Sequence, residues 1–201
     1  MRILIATSNR GKVRDFAGAA AVYGIAVEEL PDFAKLPEVV EDGATFEENA
    51  RKKAEFYSRF AAGELVLADD SGLEVDALGG APGVHSARYA ATGDASGNSS
   101  DAANNRKLLH ELEAVTEAQR TGRFVCVIAA ARDAREVAQF RGEAEGVILR
   151  EARGGMGFGY DPLFCVSSLA KSFAELTPDE KALVSHRGAA LRKFLEWARS
   201  K

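Results

Sequence analysis

Two adjacent carboxylates, Asp69 and Asp70, follow the four apolar residues 65–68. The apolar run predicts a short buried strand, and Ser71 and Gly72 predict a turn directly after it. Successive side chains of an extended chain point to opposite sides, so at most one of the two carboxylates faces a given pocket. A carboxylate at a strand end can activate a water or bind a hard cation such as Mg²⁺. The alternation alone does not choose which of the two does so.

A polar loop follows the first apolar run of the chain. Residues 3–6 predict a buried strand, residues 7–12 a turn, and the spacing of Val13 and Phe16 a helix. Backbone N–H groups and the positive end of a helix dipole suit phosphate, and Lys12 adds a full charge. The loop is not a Walker A motif, because that motif needs a Ser or Thr after the lysine. An ordinary strand-to-helix connection is the alternative interpretation.

A capping-box pattern predicts the next helix. Thr45 and Glu48 have the T-x-x-E spacing, and the helix is expected to run to about Phe60. Asn49 and Lys53 lie one turn apart on this helix and can face the same ligand. The alternative is that they form a solvated flank of the helix.

The segment 154–162 combines glycines with aromatic residues. Its sequence is GGMGFGYDP. Glycines let the backbone approach a ligand closely, and either Phe158 or Tyr160 can stack on a planar ring. The alternative is a tight loop whose aromatic side chains pack into the core.

The last helix begins with an electrostatic conflict. Ser185 is predicted to cap it, which places His186 and Arg187 in its first turn. Cations at a helix N-terminus oppose the helix dipole. Because local rules are broken most often at functional sites, the conflict points to an anionic or carbonyl ligand there.

The overall composition limits the classes of function. The chain has 201 residues, 46% of them hydrophobic, which predicts one domain over residues 1–201. Its net charge of -4 and the lack of a long Lys/Arg run argue against nucleic acid or an anionic membrane as a partner. No apolar run approaches the ~20 residues of a membrane span, and the apolar part of the first residues is too short for a signal peptide. These features predict a cytoplasmic protein. Cys126 and Cys165 lie in apolar runs and are predicted to be buried thiols.

Five motifs occur along the chain. They are ATSNRGK at 6–12, EDGATFEENARKKA at 41–54, ADDSGLEVDALGGAPGVHSARYA at 68–90, GFGYDPLF at 157–164 and EKALVSHRGAA at 180–190. Together they resemble the family of inosine/xanthosine triphosphate pyrophosphatases, the Ham1-like or RdgB-like house-cleaning enzymes, and they cover nearly the whole chain in the family's order. Two features depart from the family pattern: His85 stands where an aromatic residue is more usual, and the loop 92–101 looks longer or more polar.

The resemblance implies a two-lobed α/β fold around an elongated mixed sheet flanked by helices, with a nucleotide cleft between the lobes, and a homodimer. The implied reaction is Mg²⁺-dependent hydrolysis of ITP, dITP or XTP to monophosphate and pyrophosphate. The implied general base is Asp70, and the metal ligands are Glu41 and Asp70. The implied substrate-binding residues are Thr7, Ser8, Asn9, Arg10, Gly11, Lys12, Lys53, Ser71, Phe158, Gly159, Tyr160, Asp161, Lys181, His186 and Arg187.

The physical argument from the residues agrees with this chemistry. A triphosphate with about four negative charges needs a metal ion and several fixed cations, and the attacking water needs a carboxylate nearby. Carboxylates are hard ligands that suit Mg²⁺. Two other hypotheses remain: a nucleotide-binding protein without catalysis, and a pyrophosphatase for other modified nucleotides such as methylated pyrimidines.

Overall fold

The computed structural model describes residues 2–21, 23–91 and 97–200. The predicted loop at 92–101 lies partly outside these residues, and its part at 97–100 has no helix or strand. No helix within the described ranges has the length and apolarity needed to cross a membrane.

The described residues form seven strands and five α-helices, together with short 3-10 turns. The strands are β1 (Arg2–Ile5), β2 (Ala26–Glu29), β3 (Val66–Val75), β4 (Thr121–Arg132), β5 (Arg135–Ile148), β6 (Phe164–Val166) and β7 (Lys171–Ser172). The helices are α1 (Arg10–Ala21), α2 (Phe46–Tyr57), α3 (Asp101–Glu111), α4 (Pro178–Val184) and α5 (His186–Arg199).

The strands form one mixed sheet in the order β2-β1-β3-β4-β5-β6-β7. β1 runs parallel to both β2 and β3, whereas β6 runs antiparallel to β5 and β7. A parallel pair needs a crossover connection, and α1 supplies it between β1 and β2. β4 and β5 are joined by Asp133 and Ala134, both at positive φ, as in a two-residue hairpin turn. The predicted α/β fold with a mixed sheet is confirmed.

The predicted turn at Ser71 and Gly72 is wrong. β3 continues through both residues to Val75. Leu73 and Val75 are fully buried, and the backbone N–H of Leu73 donates a hydrogen bond to the Ser86 hydroxyl at 2.9 Å. Burial of these side chains outweighs the turn preference of Ser and Gly, so the two aspartates lie within a strand and not at its end.

The chain divides into two compact units that share strands β3, β4 and β5. The first unit has a core of apolar residues from β1, α1, β4, β5 and α5, in which the rings of Phe140 and Phe194 meet edge to face at 5.6 Å. Cys126 belongs to this core, and neither it nor Cys165 forms a disulfide, which confirms the predicted buried thiols. The first unit consists of Met1–Ser71, Cys126–Glu143 and Lys181–Lys201, and the second of Gly72–Val125 and Ala144–Glu180.

The second unit has an aromatic core and a buried cation. Phe124, Phe164 and Phe173 form a cluster with ring centroids 4.7 to 5.5 Å apart. Arg120 is 1% exposed, and its guanidinium donates to the carbonyls of Leu112, Ile148 and Leu149 at 2.6, 2.8 and 2.9 Å. These bonds tie the end of α3 to the end of β5.

The predicted helix caps are present. The Thr45 hydroxyl accepts a hydrogen bond from the Glu48 backbone N–H at 3.2 Å, which starts α2. The Ser185 hydroxyl accepts one from the Gly188 N–H at 3.1 Å, which starts α5. α2 ends at Tyr57 and continues as a 3-10 turn to Phe60, close to the predicted end.

Candidate active site

Asp69 and Asp70 lie side by side in β3 and have different partners. Oδ2 of Asp69 accepts from Lys12 Nζ at 2.9 Å and from the Ser71 hydroxyl at 3.1 Å. Asp70 instead contacts α2: Asn49 Nδ2 donates to its Oδ2 at 3.1 Å, and Lys53 Nζ lies 3.4 Å from its Oδ1. The separation follows from the alternation of a strand, as predicted.

The predicted turn at 7–12 is shorter than expected, because residues 7–9 precede α1 and residues 10–12 form its first turn. Asn9 Oδ1 accepts hydrogen bonds from the backbone N–H groups of Gly11 and Lys12 at 2.9 and 3.1 Å. Asn9 is therefore a helix cap, which the sequence analysis did not identify. Ile5 pairs in parallel with Leu67, so the turn begins beside the strand that carries the aspartates. The remaining side chains of the turn differ in burial: Thr7 is buried, whereas Ser8 and Arg10 are exposed.

Lys53 lies between two carboxylates. Its Nζ is 2.7 Å from Glu41 Oε2 and 3.4 Å from Asp70 Oδ1. Both Lys53 and Asn49 are buried, so the alternative of a solvated helix flank is wrong. Burial favours the neutral amine, but Asp70, Glu41 and Asp69 together raise the pKa of Lys53 above its ordinary value.

Arg187 connects the start of α5 to β3 and to α1. Its Nη2 donates to the Ser71 hydroxyl at 2.9 Å, and its Nη1 donates to Asp15 Oδ2 at 3.0 Å. Lys181 Nζ lies 3.3 Å from the same Asp15 oxygen. Asp15 is a member of this cluster that the sequence analysis missed, because its partners lie far away in the chain.

His186 is buried and neutral. Burial lowers the pKa of its imidazole well below the ordinary value, and Arg187, Lys181 and Lys12 lower it further. Of the two cations predicted at the start of α5, only Arg187 is therefore charged near neutral pH. Asp15 already pairs with that charge, so the predicted conflict with the helix dipole is smaller than the sequence indicated.

The pKa values of the two aspartates shift in opposite directions. Burial raises the pKa of Asp70, and the nearby Glu41 raises it further against the opposing effect of Lys53 and Lys12. Burial alone would also raise the pKa of Asp69, but Lys12, Arg187 and Lys53 lower it below its ordinary value. Neighbouring groups whose pKa values are driven apart are typical of acid–base catalysis.

The ion-paired side chains of the candidate site balance in charge. Lys12, Lys53, Lys181 and Arg187 supply four positive charges, and their partners are the carboxylates of Asp15, Glu41, Asp69 and Asp70. A balanced cluster attracts a highly charged anion weakly unless a further cation accompanies it. The balance therefore favours an anionic ligand that arrives with a metal ion.

The site contains the carboxylate oxygens that Mg²⁺ prefers as ligands. Among the residues that the structure describes, no three His, Cys, Asp or Glu side chains are arranged to hold a metal. Glu41 and Asp70 nonetheless both approach Lys53, and Oδ1 of Asp69 is buried without a hydrogen bond from any described residue. Mg²⁺ is often bound by one or two carboxylates of the protein, and substrate phosphates and waters supply the remaining ligands. Two carboxylates are therefore enough protein ligands for such an ion.

The glycine-rich loop at 157–161 belongs to the second unit. Asp161 Oδ2 accepts from the Phe158 N–H at 2.9 Å. Gly157 has φ +81° and leaves no room for a Cβ, which would lie 2.1 Å from that same oxygen. Tyr160 is buried, and its hydroxyl donates to the Ser86 carbonyl at 2.8 Å, as expected for a core-packed ring. Phe158 is only half-buried and is the better placed of the two rings for stacking.

Two side chains of α3 hold the middle of this loop. Asp101 Oδ2 accepts from the Gly159 N–H at 2.7 Å, and Asn105 Nδ2 donates to the Gly159 carbonyl at 3.0 Å. Asp101 and Asn105 are one helical turn apart, so they reach the same peptide. Sequence analysis identified neither residue, since Asp101 belongs to the predicted loop 92–101 and Gly159 lies 58 and 54 positions away from the two residues.

Comparison with known proteins identifies the family. A sequence profile of the Ham1 family matches residues 3–197, nearly the whole chain. The chain belongs to the Ham1 family. A relative from Desulforamulus reducens named dITP/XTP pyrophosphatase is 50% identical over 98% of this chain and 94% of its own. A relative of the same name from an Exiguobacterium species is 52% identical over 96% of this chain and 95% of its own.

A solved structure supports the same assignment. The HAM1 protein from Coxiella burnetii has a TM-score of 0.83 and 39% identity to this Ham1-family chain, with 100% of each chain covered. The similarity therefore extends over both compact units.

Proposed function

We propose that this Ham1-family chain hydrolyses the non-canonical purine nucleotides dITP, ITP and XTP to the monophosphate and pyrophosphate. Relatives named dITP/XTP pyrophosphatase, about half identical over nearly the full length, support this substrate class. The site of the first unit supports the chemistry. The observation that carries the proposal is the environment of Asp70. This buried carboxylate contacts the Asn49 amide and the Lys53 ammonium, and it lies on the strand next to the loop that leads into α1.

Asp70 acts as the general base in this proposal. A water attacks the α-phosphorus and forms a new P–O bond, while the bond from that phosphorus to the α–β bridging oxygen breaks. The water's proton passes to Asp70, and the electron pair of the broken bond leaves with pyrophosphate. The raised pKa of Asp70 makes it a better proton acceptor than Asp69, whose lowered pKa suits a permanent anion paired with Lys12.

The cations of the first unit bind the phosphates. Lys12 and the turn 7–12 lie at the start of α1, where a helix terminus favours anions. Glu41 and Asp70 would hold Mg²⁺, which would supply positive charge to stabilise the phosphate oxygens. When a nucleotide binds together with Mg²⁺, its phosphate oxygens can replace the carboxylates as the partners of Lys53 and Lys12.

Base recognition depends on the 6-oxo group of inosine and xanthosine. Donors such as Arg187 or backbone N–H groups can satisfy this acceptor, whereas adenine carries an amino group there and leaves the donors unpaired. Unpaired buried donors can discriminate by a factor of about 10⁴. Phe158, Gly159, Tyr160 and Asp161 stay predicted residues of the nucleotide site, with Phe158 as the stacking ring. The homodimer and the cytoplasmic location also stay predictions.

A panel of nucleotides tests the proposal. The protein is incubated with dITP, XTP, ITP, dATP, dGTP and a methylated pyrimidine triphosphate, with Mg²⁺ or with EDTA, and products are separated by ion-exchange chromatography. We expect pyrophosphate from the first three nucleotides, far less from the others, and none with EDTA. Phosphate release, equal turnover of all purines, or binding without turnover would each contradict it.

A further inference from the structure

Asn49 bridges two segments of the candidate site. It lies on α2 and is 1% exposed. Its Nδ2 donates to Asp70 Oδ2 at 3.1 Å, and its Oδ1 accepts from the backbone N–H of Gly43 at 2.8 Å. One amide thus contacts both the carboxylate of Asp70 and the chain two residues after Glu41.

The contact with Gly43 fixes which way the amide points. A backbone N–H can only donate, so the atom of Asn49 that meets it is the oxygen, and the NH₂ group faces Asp70. The approach is too close for any other residue, because a Cβ at Gly43 would lie 2.6 Å from Asn49 Oδ1 and 2.8 Å from Glu48 Cβ. The backbone at Gly43 therefore fixes the orientation of the Asn49 amide.

The two oxygens of Asp70 have different environments as a result. Oδ2 accepts from the neutral amide of Asn49, whereas Oδ1 faces the Lys53 ammonium on the side of Glu41. Rotation of the carboxylate would exchange these partners and break the hydrogen bond to Asn49.

We propose that Asn49 is the positioning residue of Asp70, a role that rests on the proposed pyrophosphatase function. It holds the carboxylate in one orientation, with Oδ1 directed toward Lys53 and Glu41. It also keeps the segment of Glu41 in register with α2 through Gly43. Loss of such an outer contact typically costs 10- to 100-fold in activity while the groups that touch substrate remain.

Two substitutions separate hydrogen bonding from packing. Asn49→Asp keeps the shape and the acceptor for Gly43 but removes the donor to Asp70. Gly43→Ala keeps the donor but forces Asn49 to move. For both, we expect kcat for dITP to fall 10- to 100-fold with KM within threefold of wild type, since the residues predicted to contact phosphate are unchanged.

Asn104 provides a matched control. It is a buried asparagine on α3, 3% exposed, and it accepts from the Ala90 N–H and donates to the Ala87 carbonyl without touching a carboxylate. Asn104→Asp should lower the melting temperature and leave kcat within threefold of wild type. A kcat for Asn49→Asp that also stays within threefold would overturn the proposal.

The hydrogen bond is also tested without turnover. In wild-type protein, the side-chain NH₂ protons of Asn49 should be protected from solvent exchange in ¹⁵N NMR, and Asp70→Ala should accelerate their exchange. Unchanged exchange would overturn the positioning role. If wild-type protein released no pyrophosphate from any nucleotide, the proposed function would fail, and this measurement would still decide whether Asn49 holds Asp70.

Discussion

The two compact units organise their predicted site residues by different forces. In the first unit, cations of α1, α2, α4 and α5 pair with carboxylates, as Arg187 does with Asp15 across 172 positions of sequence. In the second unit, neutral and charged side chains instead hold the backbone of one loop, as Asp101 and Asn105 hold Gly159. The ion pairs can be exchanged for a charged ligand, whereas the backbone contacts fix a shape.

The two kinds of contact suit two kinds of chemical group on a ligand. Phosphates and Mg²⁺ carry charge, and a cluster of compensated charges can accept them. A neutral purine offers only a flat face and a few hydrogen-bonding atoms, so its selection requires a rigid surface. The comparison predicts that substitutions at or beside Asp70 alter kcat and that substitutions at the loop of the second unit alter KM.

The largest effect is expected for Asp70→Asn. The amide cannot accept the water's proton, so kcat for dITP should fall about 10³-fold, within the range of general-base catalysis. Nucleotide binding, measured by calorimetry, should persist because the cations are unchanged. Asp69→Asn provides the comparison and should reduce kcat less. Near-wild-type turnover by Asp70→Asn would contradict the general-base role of Asp70 and the assignment of catalysis to the first unit.

Arg120→Lys tests the buried cation of the second unit, which pairs with carbonyls and not with a carboxylate. A lysine cannot reach three carbonyls in the same fork geometry, so the free energy of unfolding should fall by about 2 to 4 kcal/mol. Urea denaturation followed by circular dichroism measures it. Arg123→Lys is the control: its partners are the more exposed Glu74, Asp76 and Glu145, and a loss below about 1 kcal/mol is expected. Equal losses in the free energy of unfolding for the two variants would show that the buried contacts of Arg120 stabilise the fold no more than the exposed ion pairs of Arg123 do.

Asn105→Ala removes one of the two contacts that hold Gly159. A lost neutral hydrogen bond costs about 1 kcal/mol, which corresponds to a roughly fivefold rise in KM for dITP. The value of kcat should stay within twofold of wild type. Steady-state kinetics decide the point, and a fall in kcat with unchanged KM would contradict the division of roles between the units.

The smallest effect concerns pH. The pKa of His186 is lowered in the folded protein, so below the ordinary value near 6.5 the unfolded chain binds a proton that the folded chain does not. Stability contributed by the neutral imidazole is therefore present above this pH and declines as pH falls. Between pH 7 and pH 6 the free energy of unfolding should drop by roughly 0.7 kcal/mol from this group.

His186→Gln should remove that part of the pH dependence. His110→Gln, at an exposed histidine of α3, is measured in parallel as the matched substitution. Urea unfolding at the two pH values measures both. Equal slopes for wild type and His186→Gln would show that the buried imidazole does not titrate differently in the folded state.

Much of the fold follows from local patterns in the sequence. Helices α2 and α5 begin at Thr45 and Ser185, where a cap residue and the following side chains agree. β3 was predicted too short, because Ser71 and Gly72 favour turns while the burial that extends the strand comes from residues distant in sequence. Local preference predicts an element well only where tertiary packing agrees with it.

The site shows the same limit. Asp69, Asp70 and Lys12 were visible because each belongs to a short polar stretch that follows an apolar run of the sequence. Asp15 was missed, since it looks like any polar residue of a helix until Arg187 and Lys181 approach it. The residues alone left the choice between Asp69 and Asp70 open, and the family resemblance implied Asp70. The structure adds their different partners and the opposite shifts of their pKa values.

The two buried cysteines provide a natural pair of reporters. Cys126 lies in the first unit and Cys165 in the second, and burial raises the pKa of the Cys126 thiol. A thiol reagent reaches either sulfur only when the surrounding structure opens, so the labelling rate of each cysteine measures the opening of its own unit. Identical rates would mean that the units open cooperatively, whereas different rates would rank their local stabilities without the introduction of any probe.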